Sequence, residues 1–295
     1  MLCIKKIGGM QGMNEKTTAW TEEKVRKTLP VRGEDSHKGT YGTGLLIAGS
    51  TDMPGAAIIS SQAAMRSGIG KLVVGTSEDV IPSIVPVLPE ATYWRNGLDH
   101  LASDGIQQEF RAAAIGPGLP PEEKVEKALH KLLEKDIPLI VDAGALEKIP
   151  STFSDRKSPV ILTPHPGEFS RITGVSVEKV QNARVELAKE WAEKLNAVIV
   201  LKGNNTVTAF PDGEAFLNPT GNAALAKGGT GDALTGMLLG MLCCHENYRH
   251  GILNGVYLHG ACADKWVKEN SAHTLLAHEL SELLPQVLRH FETKA

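Results

Sequence analysis

Gly221-Asn-Ala-Ala-Leu-Ala-Lys-Gly-Gly-Thr-Gly-Asp-Ala-Leu-Thr-Gly236 is a glycine-rich loop that leads into an apolar stretch with helical spacing. Gly228, Gly229 and Gly231 lack a Cβ, so their backbone N–H groups can close around an anion. A helix that starts here would add the positive end of its dipole. Asp232 would repel an anion, so its presence indicates a base that accepts a hydroxyl proton during phosphoryl transfer. The sequence therefore predicts a phosphate cradle with Asp232 as the catalytic carboxylate, and an ordinary Asp helix cap is the alternative.

Two common phosphate-binding motifs are absent from the chain. No stretch fits the pattern G-x-x-x-x-G-K-[ST], and the glycines of the loop lack the spacing of a dinucleotide fingerprint. The loop is therefore a third type of phosphate site.

Apolar runs that suit buried strands alternate along the chain with segments of helical spacing. The predicted strands are 44–48, 72–75, 112–115, 139–141, 160–162, 198–201 and 206–210, and the predicted helices are 55–67, 122–134, 177–195, 232–244 and 250–270. A strand at 214–217 would form a hairpin through Asp212-Gly213. This order predicts an α/β fold with a mostly parallel central sheet and helices on both faces. Residues 1–20 lack periodicity and are predicted to be a disordered extension, which leaves 21–295 as a single domain.

Composition restricts the classes of partner. The formal net charge of -3 and the pI of about 6.4 provide no basic field for nucleic acid or for an anionic membrane. The four cysteines match neither a disulfide framework nor a paired zinc motif, although Cys243-Cys244-His245 could be imagined as metal ligands. Reduced thiols, together with the lack of a signal peptide or a long apolar run, predict a cytoplasmic protein.

Polar or glycine-rich loops follow five of the predicted strands. Ligands of open α/β sheets bind at the carboxyl ends of the strands, so these loops are candidate binding elements. Each alone could be a plain turn, but five together favour a binding site. The loops are Gly49-Ser50, Gly116-Pro-Gly118, Asp142-Ala-Gly144, Thr163-Pro-His-Pro-Gly-Glu168 and Lys202-Gly-Asn-Asn-Thr206.

With the Gly-Thr-Gly-Asp loop, these strand ends resemble the ribokinase-like small-molecule kinases. Within that group the chain is similar to the ADP/ATP-dependent NAD(P)H-hydrate dehydratases, over nearly all of residues 21–295. The specific part of the resemblance is the combination of Pro-His-Pro-Gly-Glu, Lys-Gly-x-x-Thr and Gly-Asn followed by Gly-Thr-Gly-Asp. The resemblance implies a ribokinase-like fold of three layers and a stand-alone dehydratase domain without an epimerase domain.

The resemblance also implies a reaction, the repair of damaged nicotinamide cofactors. The family removes water from the (6S) hydrate of NADH or NADPH, with ADP or ATP as co-substrate and with Mg²⁺. A hydroxyl leaves poorly, so its phosphorylation lets phosphate depart in its place. The products are phosphate, the reduced cofactor and AMP or ADP. Homotetramers are common in the family, and the similarity to stand-alone bacterial members favours ADP as the donor.

Site roles follow from the resemblance by position. Asp232 corresponds to the catalytic base beside the substrate hydroxyl. The implied substrate contacts are Ala56, Ala57, Gly116, Gly118, His165 and Asp232, and the implied nucleotide contacts are Lys202, Gly203, Asn204, Asn205, Thr206, Gly229, Thr230 and Gly231. Glu168 is a candidate Mg²⁺ ligand through water.

Each of these roles has a simpler structural alternative. Lys202 could be a solvated charge after a strand, and His165 could bond a nearby backbone group. Glu168 could cap the helix that follows Gly167, and the two alanines could serve only in packing.

Two other functions compete with cofactor repair. A kinase of the same fold could phosphorylate a vitamin-precursor alcohol of the hydroxymethylpyrimidine or thiazole type, with Asp232 in the same role. A nucleotide-binding regulator without turnover is the second competitor, and an intact Asp232 beside an intact loop disfavours it.

Overall fold

The computed structural model describes residues 17–292, whose strands form one ten-stranded sheet in the order β1-β10-β9-β8-β7-β6-β5-β2-β3-β4. Strands β1 to β10 are, in chain order, Thr17–Ala19, Thr43–Ile47, Lys71–Thr76, Thr92–Arg95, Ala112–Ile115, Leu139–Val141, Val160–Leu162, Val198–Leu201, Val207–Ala209 and Ala215–Leu217. Helices α1 to α11 are Glu22–Thr28, Pro54–Arg66, Ile81–Ile84, Gly97–Asp104, Glu123–Leu133, Pro166–Thr173, Val177–Asn182, Arg184–Leu195, Thr230–Cys244, Tyr248–Trp266 and Glu279–Phe291. Only the pairings of β9 with β8 and β10 are antiparallel, so the predicted mostly parallel sheet is confirmed.

Alternation along the strands creates two cores, one on each face of the sheet. In β2, Leu46 belongs to one cluster, whereas Leu45 and Ile47 belong to the other. The first cluster contains buried residues of α2, α9, α10 and α11, and the second contains those of α4, α5 and α8. The helices therefore cover both faces, as predicted.

Among the described helices, none combines the length and the apolar character that a membrane span requires.

The strand order reverses direction between β2 and β5. From β2 the chain builds outward through β3 and β4, and then returns to pair β5 with the opposite edge of β2 before it continues to β6, β7 and β8. Such a reversal opens a crevice at the carboxyl ends of the two central strands, the usual ligand position in this class of sheet. The loops after β2 and β5 therefore border a natural binding crevice.

Helix α9 approaches α2 closely, and this contact positions the Gly-Thr-Gly-Asp loop. A Cβ on Gly236 would lie 2.0 Å from the carbonyl oxygen of Ser60 on α2. A side chain at this position would therefore force the two helices apart. The absence of a Cβ at position 236 therefore permits the close contact between α9 and α2.

The structure differs from the sequence-based predictions in several places, and helices α3 and α4 are among the elements that were not predicted. Of the predicted extension, residues 1–16 lie outside the described residues, but Thr17–Ala19 pair in parallel with β10 and Trp20 is buried, so these four residues belong to the fold. The predicted helix 177–195 is broken at Ala183, whose φ of -137° is not helical. Strand β4, at an edge of the sheet, was not predicted because its residues are only partly buried and form no apolar run.

Candidate active site

The Gly-Thr-Gly-Asp loop forms the N-terminus of α9. Gly229 is the N-cap with φ of +88°, a left-handed conformation that favours glycine. The first helical hydrogen bond of α9 runs from the Ala233 N–H to the Gly229 carbonyl, so the N–H groups of Gly231 and Asp232 precede the helical ladder. Those N–H groups, together with the helix dipole, suit a phosphate.

A buried histidine supports this loop from α10. The Nε2 atom of His259 lies 2.9 Å from the carbonyl oxygen of Thr230. Because a carbonyl can only accept, Nε2 carries the proton and donates it. Burial lowers the pKa of His259 to about 4, so the imidazole is neutral at physiological pH. The Thr230 hydroxyl donates in turn to the carbonyls of Leu225 and Lys227 at 2.9 Å each.

Four ionisable side chains converge where the strand-end loops meet α9. The Lys202 ammonium lies 2.9 Å from Asp142 Oδ1 and 3.7 Å from Glu168 Oε2. A Cβ on Gly231 would lie 3.3 Å from Lys202 Nζ, which places the ammonium beside the N-terminus of α9. Asp232 follows Gly231 directly. One cation therefore lies among three carboxylates.

Burial and charge set the proton affinity of these groups. Burial alone would raise the pKa of Asp142, but the adjacent Lys202 ammonium and the Thr235 and Thr163 hydroxyls hold it below its ordinary value. Burial alone would lower the pKa of Lys202, but Asp142 and Glu168 hold it above its ordinary value. The two groups therefore form a buried ion pair.

Asp232 differs from Asp142 because no hydrogen bond compensates for its burial. Burial and the charges of Asp142 and Glu168 raise its pKa to about 6, against the opposing effect of Lys202. A carboxylate with a pKa near 6 is ionised at neutral pH and is a better proton acceptor than an ordinary aspartate. The site thus contains a carboxylate suited to general-base catalysis.

His165 and Glu168 form a capping box at the start of α6. His165 Nδ1 accepts from the N–H groups of Gly167 at 3.0 Å and Glu168 at 3.2 Å, and Glu168 Oε2 accepts from the His165 N–H at 2.8 Å. Both structural alternatives considered for these residues are therefore present. Nδ1 is occupied as an acceptor, so Nε2 carries the proton of the neutral ring. The His165 side chain is 51% exposed, and its Nε2 atom lies 3.5 Å from Glu168 Oε2.

A cavity of about 540 Å³ adjoins the N-terminus of α9. Seven of the eight predicted nucleotide contacts line it, namely Lys202, Gly203, Asn204, Asn205, Thr206, Thr230 and Gly231. Gly229 is not among the lining residues, and a Cβ there would lie 2.9 Å from Cβ of Ala277. The proximity of these residues is compatible with a nucleotide site, and their individual roles stay predictions.

Arg184 holds the loop after β8 in place. Its guanidinium donates to the carbonyls of Leu201 at 2.8 Å and Lys202 at 3.3 Å. It also lies 2.7 Å from the position of a Cβ on Gly203, whose φ is +143°. A larger residue at position 203 would therefore displace Arg184.

The predicted substrate contacts lie at the crevice between β2 and β5. A Cβ on Gly118 would lie 2.6 Å from Cβ of Ala56, and a Cβ on Gly116 would lie 1.8 Å from the Asp142 carbonyl oxygen. Ala56 is 8% exposed, whereas Ala57 is fully buried and packs against Gly49. The packing alternative therefore describes the Ala57 side chain, and only the backbone near it could meet a ligand.

Glu168 keeps one carboxylate oxygen that could bind a water of a Mg²⁺ ion. Its Oε2 atom is engaged by the His165 N–H and lies near Lys202, which leaves Oε1 for a metal-bound water. No group of three or more His, Cys, Asp or Glu side chains in residues 17–292 forms a metal cluster. One carboxylate fits an ion that is held chiefly by nucleotide phosphates and water.

His245, which the sequence offered as a metal ligand with Cys243 and Cys244, instead lies 2.7 Å from the Met241 carbonyl oxygen and 3.0 Å from Asn254.

Sequence reasoning assigned no role to several residues that organise the site. Asp142 was noticed only as the end of a strand, and Thr235 could have been selected because it follows Asp232 by one helical turn. Arg184 and His259 carry no local signal, since each acts on a loop that is distant in sequence.

Comparisons with known proteins agree with this geometry. A sequence model of the NAD(P)H-hydrate dehydratase family matches residues 44–286. The ADP-dependent (S)-NAD(P)H-hydrate dehydratase of Bacillus subtilis (strain 168) is 65% identical over 92% of this chain and 98% of its own length. The bifunctional NAD(P)H-hydrate repair enzyme Nnr of Escherichia coli (strain K12) is 31% identical over 95% of this chain, which spans 54% of that protein.

Solved structures support the same grouping. The ADP/ATP-dependent NAD(P)H-hydrate dehydratase of B. subtilis, co-crystallised with ATP/Mg²⁺, superposes with a TM-score of 0.92 at 64% identity over 95% of this chain and 100% of that one. A ribokinase-like superfamily protein of Enterococcus faecalis superposes with a TM-score of 0.83 at 26% identity, over 96% of this chain and 99% of that one. A hydroxyethylthiazole kinase of Pyrococcus horikoshii gives only 0.55 at 16% identity, over 91% and 94%, a likeness of fold alone.

Proposed function

The chain belongs to the NAD(P)H-hydrate dehydratase family, and from this premise we propose that it removes water from the (6S) hydrate of NADH or NADPH with ADP as phosphoryl donor. The observation that carries the proposal is Asp232, a carboxylate with a pKa of about 6 beside the free N–H groups of α9 and the Lys202 ammonium. The vitamin-precursor kinase is not favoured, because the relative that is 65% identical over 98% of its own length is named as an NAD(P)H-hydrate dehydratase. ATP is the second donor that this site accepts.

Asp232 accepts the proton of the substrate hydroxyl. At the same time the hydroxyl oxygen bonds to the terminal phosphorus of ADP, and the bond between that phosphorus and the oxygen of AMP breaks. The N–H groups of Gly231 and Asp232, with Lys202, bind the phosphoryl oxygens. The C–O bond then breaks and phosphate leaves with the bonding electrons, while the neighbouring ring proton passes to water and the double bond is restored. Mg²⁺, when bound, neutralises phosphate charge, and Glu168 would hold it through water.

The hydrated nicotinamide lies at the β2/β5 crevice in this proposal. Ala56, Gly116 and Gly118 supply a surface without bulky side chains, and the buried Ala57 packs beneath that surface against Gly49. His165 Nε2–H donates a hydrogen bond to the substrate. The nucleotide occupies the cavity lined by residues 202–206 and 230–231.

The direct test is incubation of the protein with NADH hydrate and either ADP or ATP, followed by absorbance of the reduced nicotinamide. We expect absorbance to recover with release of phosphate, and faster with ADP. A regulator without turnover would release no phosphate.

The pH dependence of turnover reports on the base. Since Asp232 acts ionised and burial raises its pKa to about 6, we expect kcat to be constant near pH 7–8, to halve near pH 6 and to fall about tenfold per pH unit below that. Stopped assays of phosphate release across this range measure the profile. Constant kcat down to about pH 4.5, the ordinary range of aspartate, would contradict this assignment.

His165→Ala separates substrate binding from nucleotide binding. We expect the KM for the hydrate to rise about tenfold while the KM for ADP stays within about twofold, the pattern of a lost substrate contact. Wild-type protein should form no stable phosphomonoester from pyrimidine or thiazole alcohols. Efficient phosphorylation of those alcohols, with NADH hydrate left unchanged, would establish the kinase instead.

We also propose that residues 21–295, extended at the N-terminal side by Thr17–Trp20, act as one domain, since one sheet runs through the described part of this range. The proposed assembly is a homotetramer in the cytoplasm. Light scattering of the purified protein measures the subunit number.

A further inference from the structure

Asp142 connects two parts of the site that come from distant parts of the chain. It directly follows β6 near the centre of the sheet and is 1% exposed. Its Oδ1 atom pairs with Lys202 Nζ at 2.9 Å, at the end of β8, and its Oδ2 atom accepts from the Thr235 hydroxyl at 2.8 Å, on α9. One carboxylate therefore bonds both the strand-end cation and the helix that carries Asp232.

Both partners lie next to groups that act in the proposed reaction. Thr235 follows Asp232 by three residues, which places it one turn further along α9. Lys202 Nζ lies beside Gly231, 3.3 Å from the position of a Cβ there. Asp142 therefore links the ammonium to the helix that carries Asp232.

We infer that Asp142 is a positioning residue, which holds Lys202 and α9 in register so that the transferring phosphoryl group and the substrate hydroxyl are aligned. The inference rests on the proposed function. Asp142 does not line the nucleotide cavity, so it acts through its partners and not by contact with the nucleotide. Of the predicted site residues, Lys202 depends on it most directly.

We expect Asp142 to affect the alignment of the reacting groups and not the affinity for the nucleotide. Misplacement of a catalytic group by about 1 Å can lower a rate by about 10²-fold, whereas ground-state binding of a flexible nucleotide tolerates such a shift. Asn at position 142 keeps the shape but removes the charge that attracts Lys202. Its amide has one acceptor oxygen instead of the two that now receive the Lys202 and Thr235 donors.

The test is a double-mutant cycle with Asp142→Asn, Lys202→Met and the combined variant, assayed with NADH hydrate and ADP. We expect Asp142→Asn to lower kcat about 10²-fold and to change the KM for ADP by less than about threefold. If Asp142 acts through Lys202, the same change in the Lys202→Met background should alter kcat by less than about threefold. Equal losses in the two backgrounds, or a kcat for Asp142→Asn within about twofold of wild type, would overturn the inference.

Thr235→Val provides a variant that keeps the ion pair and removes only the bond to α9. We expect kcat to fall about tenfold at unchanged KM for ADP, and an unchanged kcat contradicts the inference even if Asp142→Asn fails to fold. Thr28→Val is the matched control, because it removes a threonine hydroxyl bonded to Asn254 at 3.2 Å, remote from the site. Wild-type turnover is measured first: its absence rejects the proposed function, whereas active wild type with additive losses rejects only the role of Asp142.

Discussion

Asp232→Asn is expected to fold and to bind ADP, but to lose about 10²–10⁴-fold in turnover of hydrated NADH. Asn has nearly the same shape and cannot accept the hydroxyl proton, so chemistry is lost while the N–H groups of α9 remain available to phosphate. Calorimetry with ADP and the recovery of nicotinamide absorbance measure the two effects. Turnover close to wild type would remove Asp232 from the mechanism.

The same substitution should stabilise the fold above pH 6. Because burial raises the pKa of Asp232 to about 6, its ionised form is less favourable in the folded protein than in the unfolded chain. This cost is absent below about pH 4, where both states are protonated, and complete above pH 6. We expect the free energy of unfolding of the variant to exceed that of wild type by about 1–3 kcal/mol at pH 8 and to equal it near pH 4. Asp35→Asn, at an exposed position, is the control and should change neither stability nor turnover.

Lys202→Met is expected to lower the free energy of unfolding by about 3–5 kcal/mol. The substitution leaves the fully buried Asp142 without its cation and removes the ammonium near Glu168, and an unpaired buried carboxylate is costly. Affinity for ADP should fall as well, by about 1.5–3 kcal/mol, through the lost contact to phosphate. Urea unfolding and calorimetry measure the two quantities.

Lys124→Met is the matched control for the loss of stability. Lys124 forms an ion pair with Asp99 at 2.6 Å, but both side chains are about half exposed. Exposed pairs contribute less than about 1 kcal/mol. Equal destabilisation by the two substitutions would show that burial does not determine the strength of the Lys202 pair.

The central strands were predictable because strands covered on both faces are continuous apolar runs. Ala112–Ile115 and Val198–Leu201 were predicted at their observed bounds. The short strand Thr17–Ala19 was not predicted, since its pairing with β10 joins residues about 200 positions apart and leaves no local pattern. The break at Ala183 was also missed, because the apolar spacing continues through it.

In the site, too, residues with a local sequence pattern were predicted, whereas contacts between distant residues were not. The glycine-rich loops gave Lys202 and Asp232, which the fold brings together through the carboxyl ends of strands and the N-terminus of α9. The bond between Asp142 and Thr235 joins residues 93 positions apart, so no local pattern indicates it. For His165 and Glu168 the sequence suggested both a site role and a local structural role, and the structure shows that the two residues cap α6.

The pairing of β1 with β10 determines where a shortened form of the protein can begin. If the chain started at Thr21, the outer backbone groups of β10 would lose their partners and the site of the buried Trp20 ring would open to water. An unpaired strand edge next to apolar surface is a template for association with another chain. Truncation beyond Thr17 should therefore appear as self-association and poor recovery of the protein.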